Sequence, residues 1–227
     1  MTNTDSPAKR VMQIAAGTAL VAGAASFFAG LATSPPQADE SKATYLRSLA
    51  EDPFTTQLSA LLLHYGNLFM GVGLLAVPLL VRGRRGGVLT VIGAMLGALG
   101  LIEMSGALLS DWFHMELGRN LPVEQAVAIS DKVLAHPAQQ LAFSPGPLVS
   151  LALLLTFAGL SRAGVVGWWT VPAVVVGYAG LLFMPYDTPI LPAVGTLPML
   201  AAMAFAGRRV LGRARVETPA YPAAAAS

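Results

Sequence analysis

The sequence predicts an all-α, polytopic membrane helix bundle with six transmembrane helices, both termini inside and a short interfacial helix on the outer side. Three observations carry this. Hydrophobic residues make up 55% of the 227 residues and charged residues 11%, roughly half the charged share of a soluble domain. The apolar residues gather into six stretches, each about as long as a helix needs to cross some 30 Å of hydrocarbon. The lysines and arginines concentrate on alternate connections, as positive-inside topology requires.

Residues 1–10 are a polar N-terminal segment that ends in Lys9 and Arg10. Residues 11–207 form the transmembrane domain, with spans at about 11–32, 58–81, 87–110, 141–160, 165–184 and 190–207. A cleaved signal peptide is the rival reading of the first stretch, which outruns the usual apolar core of about 7–15 residues. Thr33 to Gln57 is a polar connection; within it a short helix starting at Ser41 would set Tyr45, Leu46 and Leu49 on the membrane surface and stop before Pro53. Arg82, Arg84 and Arg85 make a tight turn into span three, where Gly93, Gly97 and Gly100 form a small-residue stripe suited to close helix packing.

Asp111 to Gln140 is the longest connection. Pro122 suits the first position of an interfacial helix reaching Ala135, with Val123, Val127 and Leu134 on one side. Together with Gly118 to Asn120 it forms a candidate movable outer lid. Span four carries a possible bend at Ser144 to Pro147, Trp168 and Trp169 suit the interfacial belt of span five, and Tyr186 and Asp187 sit in a turn between prolines. Residues 208–227 are a basic tail with a low-complexity end expected to be disordered.

Orientation follows from the basic residues. Lys9, Arg10, Arg82, Arg84, Arg85, Arg162, Arg208, Arg209, Arg213 and Arg215 fall on one side; Lys42, Arg47, Arg119 and Lys132 fall on the other. The first set marks the inside. Asp39, Glu40, Glu51, Asp52, Asp111, Glu116, Glu124, Asp131 and Asp187 all fall outside, which makes that face electronegative and able to gather cations. The basic residues form no nucleic-acid stripe, so the partner is the lipid bilayer. Cysteine is absent, which excludes disulfides and thiolate metal sites. Arginine outnumbers lysine, and alanine and glycine are abundant, a composition that points to a bacterial multi-pass protein of the cell membrane.

Chemistry can live where ionisable groups enter the apolar spans. Glu103 is a carboxylate inside span three, and such a group costs roughly 2.5–3.5 kcal/mol at a helix centre on insertion scales. If Gln57 and Ser110 mark the outer ends of spans two and three, His64 and Glu103 both lie about 10 Å below that boundary. They form a candidate catalytic or proton-handling pair, with a buried polar clamp between helices as the structural alternative. Tyr65, Asn67, Ser110, Asp111 and Asp187 are candidate ligand-binding groups at the same end. His114, Asp111 and His136 are candidate ligands for Zn²⁺, Asp111 and His114 sharing a face if the helix continues; the spacing matches no established zinc motif, and no cofactor is otherwise implied. HExxH and a phosphate-binding GxxxxGK[ST] loop are missing, and no lysine lies within a span to form a Schiff base.

The run LLLHYGNLFMGVGLLAVPLLVRGR followed by GAMLGALGLIEMSGALLSDWFHMELGR resembles small six-span integral membrane proteins of actinobacteria in hydropathy and loop lengths. A more distant similarity is to membrane-integrated terpene cyclases, which implies Glu103 as an acid toward a polyprenyl substrate. Three functions follow as expectations. The first is binding of a small apolar or cationic ligand, or of a partner, through the outer half of the bundle. The others are an intramembrane enzyme using Glu103 as general acid or base, and a proton- or ion-coupled transporter subunit.

Overall fold

The computed structural model describes residues 7–83, 85–142 and 148–216, with the backbone alone for 141–142 and 215–216. Its helices are α1 (Pro7–Ala32), α2 (Lys42–Glu51), α3 (Pro53–Leu74), α4 (Gly87–Leu108), α5 (Ser110–Asn120), α6 (Val123–Leu134), α7 (Pro137–Ala142), α8 (Val149–Arg162), α9 (Thr170–Phe183) and α10 (Ile190–Val216). There is no strand among the described residues. The expected bend at Ser144 to Pro147, Arg84 and the end of the tail lie outside the described residues.

Among the described residues, three helical stretches are long and apolar enough to cross a membrane: Pro7–Ala32, the 34 residues Gly87–Asn120 and Ile190–Ala214. The apolar helices α8 and α9 have 14 residues each. At 1.5 Å per residue the rod formed by α4 and α5 is about 50 Å long, well beyond a hydrocarbon core of about 30 Å. Its apolar part is α4. The polar α5, with Asp111, His114, Glu116 and Arg119, continues the rod beyond that part.

Six helices close into a ring. α1 packs between α3 and α10, α4 between α3 and α8, and α9 between α8 and α10. Glycines let the backbones approach: a Cβ on Gly66 would lie 2.7 Å from the Phe27 nitrogen, one on Gly93 2.5 Å from the Thr156 nitrogen, and one on Gly180 2.4 Å from the Gly195 carbonyl carbon. The Gly93–Gly97 stripe therefore serves packing, with Gly93 against α8 and Gly97 beside Leu74 and Ala152. Serines add hydrogen bonds across the α1–α3 seam, Ser26 Oγ to the Leu62 carbonyl (2.8 Å) and Ser59 Oγ to the Gly30 carbonyl (2.9 Å). In an apolar surrounding such bonds satisfy hydroxyls that have no water to turn to.

Helices α2, α5 and α6 pack on one another at one end of the ring, hereafter the cap end. Ser41 caps α2 by accepting the Thr44 N–H (3.1 Å), and Asp52 caps α3 by accepting the Thr55 N–H (3.0 Å), with Pro53 at the first helical turn. Leu46 and Leu49 are buried. They pack within the cap, where the Leu46 carbonyl oxygen lies 2.5 Å from where a Gly118 Cβ would be.

Three sequence expectations change here. Gly118 to Asn120 are the last turn of a helix rather than part of an open connection, because nothing between Ser110 and Leu117 stops the helix that α4 begins. The helix of span two ends at Leu74, and Val77–Leu80 continue as a 3-10 turn, since Pro78 has no N–H for the Leu74 carbonyl. The segment expected to lie on the membrane forms the helix α6, which buries Ala126 and Ser130 while Leu134 is exposed.

Candidate functional site

The ring encloses a cavity of about 760 Å³. All six ring helices line it, through side chains such as Phe27, Met70, Leu101, Leu153, Tyr178 and Met203. The spacings explain why these residues converge. Leu63, Asn67 and Met70 lie one turn apart on α3; Leu101, Met104 and Leu108 do so on α4; Met199 and Met203 do so on α10. The α4 triplet sits in the half of its helix nearer the cap end and the α10 pair reaches the middle of its helix from that end, while the α3 triplet runs from the middle of its helix away from the cap. The glycine seams hold the helix backbones in contact around the perimeter, and the side chains facing inward do not fill the centre.

The polar groups of the wall collect at the cap end. Ser34, Gln37, Asp111 and Tyr186 line the cavity there, and Asn67 and Ser150 lie among the apolar residues. The rim is tied together: the Gln37 backbone N–H donates to the Tyr186 carbonyl (2.9 Å), the Tyr186 hydroxyl donates to the Leu181 carbonyl (2.8 Å), and Ser34 Oγ bonds Ser59 Oγ (2.9 Å). Asn67 is buried and donates its amide to the Leu63 carbonyl (2.9 Å).

Asp111 is the carboxylate of this wall. Tyr45 of α2 donates its hydroxyl to Asp111 Oδ1, while Oδ2 has no hydrogen-bond partner among the described residues and is left accessible. Burial pushes the Asp111 carboxyl up to about 6, against the opposing effect of the Tyr45 hydrogen bond. Burial, and next to it the Asp111 charge, pushes the Tyr45 phenol up as well. On the next turn of α5, His114 meets Tyr45 edge-on at 5.5 Å and bonds Ser130 Oγ of α6 at 3.0 Å. Burial and then the Lys42 ammonium hold the His114 imidazole below its usual value. Lys42 itself is 3.9 Å from Asp131 of α6. Asp111 thus belongs both to the cap and to the cavity wall.

No protein-family model, curated protein or solved structure matches the chain.

Of the residues singled out in the sequence, Asn67 and Asp111 reach the cavity. Ser110 is half-buried at the start of α5, Tyr65 is exposed and meets His64 edge-on and Phe69 at a tilt, and Asp187 is exposed beside Tyr186. His64 Nδ1 pairs with the Ser105 carbonyl oxygen at 2.8 Å. No hydrogen bond or ion pair joins His64 to Glu103 among the described residues, and Glu103 Oε2 is covered without a hydrogen-bond partner. Glu103 shares a face of α4 with Leu99 and Leu96, both exposed, so it looks away from the ring. His136 is exposed, its Nδ1 accepting the Ala138 N–H, and no three metal-ligating side chains converge among the described residues.

The sequence placed Tyr45 on the membrane surface and Tyr186 in a turn between prolines without joining either to a site, and Ser34, Gln37 and the two α10 methionines left no signal.

Proposed function

We propose that this chain is a six-span protein of the cell membrane, with both termini inside, that binds an apolar molecule in the ring cavity from its outer half. The observation that carries the binding is the cavity itself. Its volume of about 760 Å³ falls within the roughly 300–1,000 Å³ of small-molecule sites, and its mainly apolar wall with a few polar groups at one end is the usual make-up of such sites. The distribution of basic residues along the sequence supports the orientation: ten of the 14 fall in the two terminal segments and in the connections that follow spans two and four. Helices α8 and α9 would span with the help of their flanking turns, where Trp168 and Trp169 stand exposed at the α9 start.

The test is uptake of radiolabelled 1-dodecanol by the protein in phosphatidylcholine nanodiscs, corrected by empty nanodiscs. The wild-type chain takes it up saturably, and Met104→Trp, which fills the cavity from its half-buried α4 wall, does not. Equal uptake by both, or none above empty nanodiscs by the wild type, would contradict the reading.

A further inference from the structure

The cavity is asymmetric in a way that names its ligand. Its depth is apolar, while its cap end presents one carboxylate, Asp111, with one oxygen held by Tyr45 and the other free. A half-satisfied acid in such a place is costly unless a partner completes it. No basic side chain ion-pairs with Asp111 among the described residues: Lys42 is at Asp131, and Arg119 is at Glu116. Tyr45 of α2 is the residue bonded to Asp111; the other titratable and polar side chains of the elements around it are Lys42 of α2, His114 of α5, Ser130 and Asp131 of α6, and Tyr186 of the α9–α10 turn.

Around this rim, the connections of the cap end carry nine acids against four bases. A field of that sign draws cations toward the mouth. From the free Asp111 oxygen and the apolar depth below it we infer that the ligand is a single-chain amphiphile with a cationic, N–H-bearing head, the ammonium bonding Asp111 and the chain lying among Met70, Leu153, Met199 and Met203. The inference rests on the cavity being a binding site and adds the chemistry of the head. It excludes a phosphate or carboxylate head, which would meet Asp111 as a like charge.

The experiment compares dodecylamine with 1-dodecanol, chains of equal length that differ in the head, in phosphatidylcholine nanodiscs corrected by empty nanodiscs. The wild type is expected to bind the amine roughly tenfold more tightly than the alcohol, the size of one charge-assisted hydrogen bond over a neutral one. Asp111→Asn is expected to bring the two within about twofold. A second arm uses the wild-type chain alone, so it stands even if the variant fails to fold: between pH 7.5 and pH 5 the amine preference shrinks as Asp111 takes up a proton.

If both ligands bind saturably but with no preference, or if Asp111→Asn keeps the preference, the head assignment is overturned and the cavity reading survives. If neither ligand binds above empty nanodiscs, the cavity reading falls and takes this inference with it.

Discussion

The Tyr45 hydroxyl donates to Asp111 Oδ1, so one hydrogen bond joins α2 of the cap to the wall of the central cavity. The two residues are far apart in sequence and half-buried in the fold. Around them the cap is also held by leucine packing, by the His114–Ser130 bond and by the Lys42–Asp131 pair. Tyr45→Phe removes the donor and leaves the carboxylate both oxygens short. At pH 8, with Asp111 ionised, this is expected to cost about 1.5–3 kcal/mol, the range for a hydrogen bond to a charged group. At pH 5 the loss should fall to about 0.5–1.5 kcal/mol. Thermal unfolding in nanodiscs reads both, and a loss that does not depend on pH would show that Tyr45 acts by packing alone.

Asp111 also predicts how stability varies with pH. Its carboxyl titrates near 6 in the folded chain against 3.8 as the ordinary value. The folded state therefore holds more protons than the unfolded state between those values, and stability falls as pH rises through that window. His114, held below its ordinary value, works in the opposite sense and favours the folded state as pH rises through its own window. The difference between wild type and Asp111→Asn isolates the acid. Relative to the wild type, the variant should gain melting temperature between pH 5 and pH 7, and parallel curves would rule out the assignment.

Ring closure depends on the glycine seams. Gly180→Val puts carbon where the Gly195 backbone already lies and should cost about 1–3 kcal/mol or more. Gly106 on α4 offers a control, since a Cβ there meets nothing within 4 Å. Gly106→Ala should hold or raise stability by up to about 1 kcal/mol. Comparable losses at both positions would mean that close approach is not what the seam glycines provide.

Glu103 and His64 should behave independently. His64→Ala loses the bond to the Ser105 carbonyl and is expected to cost about 1 kcal/mol. Glu103→Gln removes a carboxylate whose Oε2 has no partner, so stability should hold or rise, and dodecanol uptake should not change. The double variant should be additive within about 0.5 kcal/mol. A coupling above about 1 kcal/mol would restore the paired site that depth alone suggests.

That pair shows what the sequence could and could not reveal. Matching depths from the ends of spans two and three put His64 level with Glu103, and His64 does meet α4 close to that level, at Ser105. Ser105 is two residues further on, about 3 Å along the axis but some 200° around the helix. Hydropathy gives depth but not rotation on α4, which is apolar on every side, so no amphipathic stripe marks its inner face. The capped start of α2 was legible because Ser41 and Pro53 are local signals. The cavity was not, because which apolar residues face a void depends on how six helices close around it. The continuation of α4 into α5 had a signal in the lack of any stop before Gly118, masked by the polarity of Asp111 and His114.

The most direct test of the central claim is crystallographic. Crystals grown in a lipidic mesophase with 12-bromo-1-dodecanol should show an anomalous bromine peak inside the ring, among Met70, Leu153 and Met203, with the hydroxyl toward Asp111. Bromine found only on the lipid-facing perimeter, at exposed residues such as Leu99 and Val176, with none in the cavity, would contradict the account.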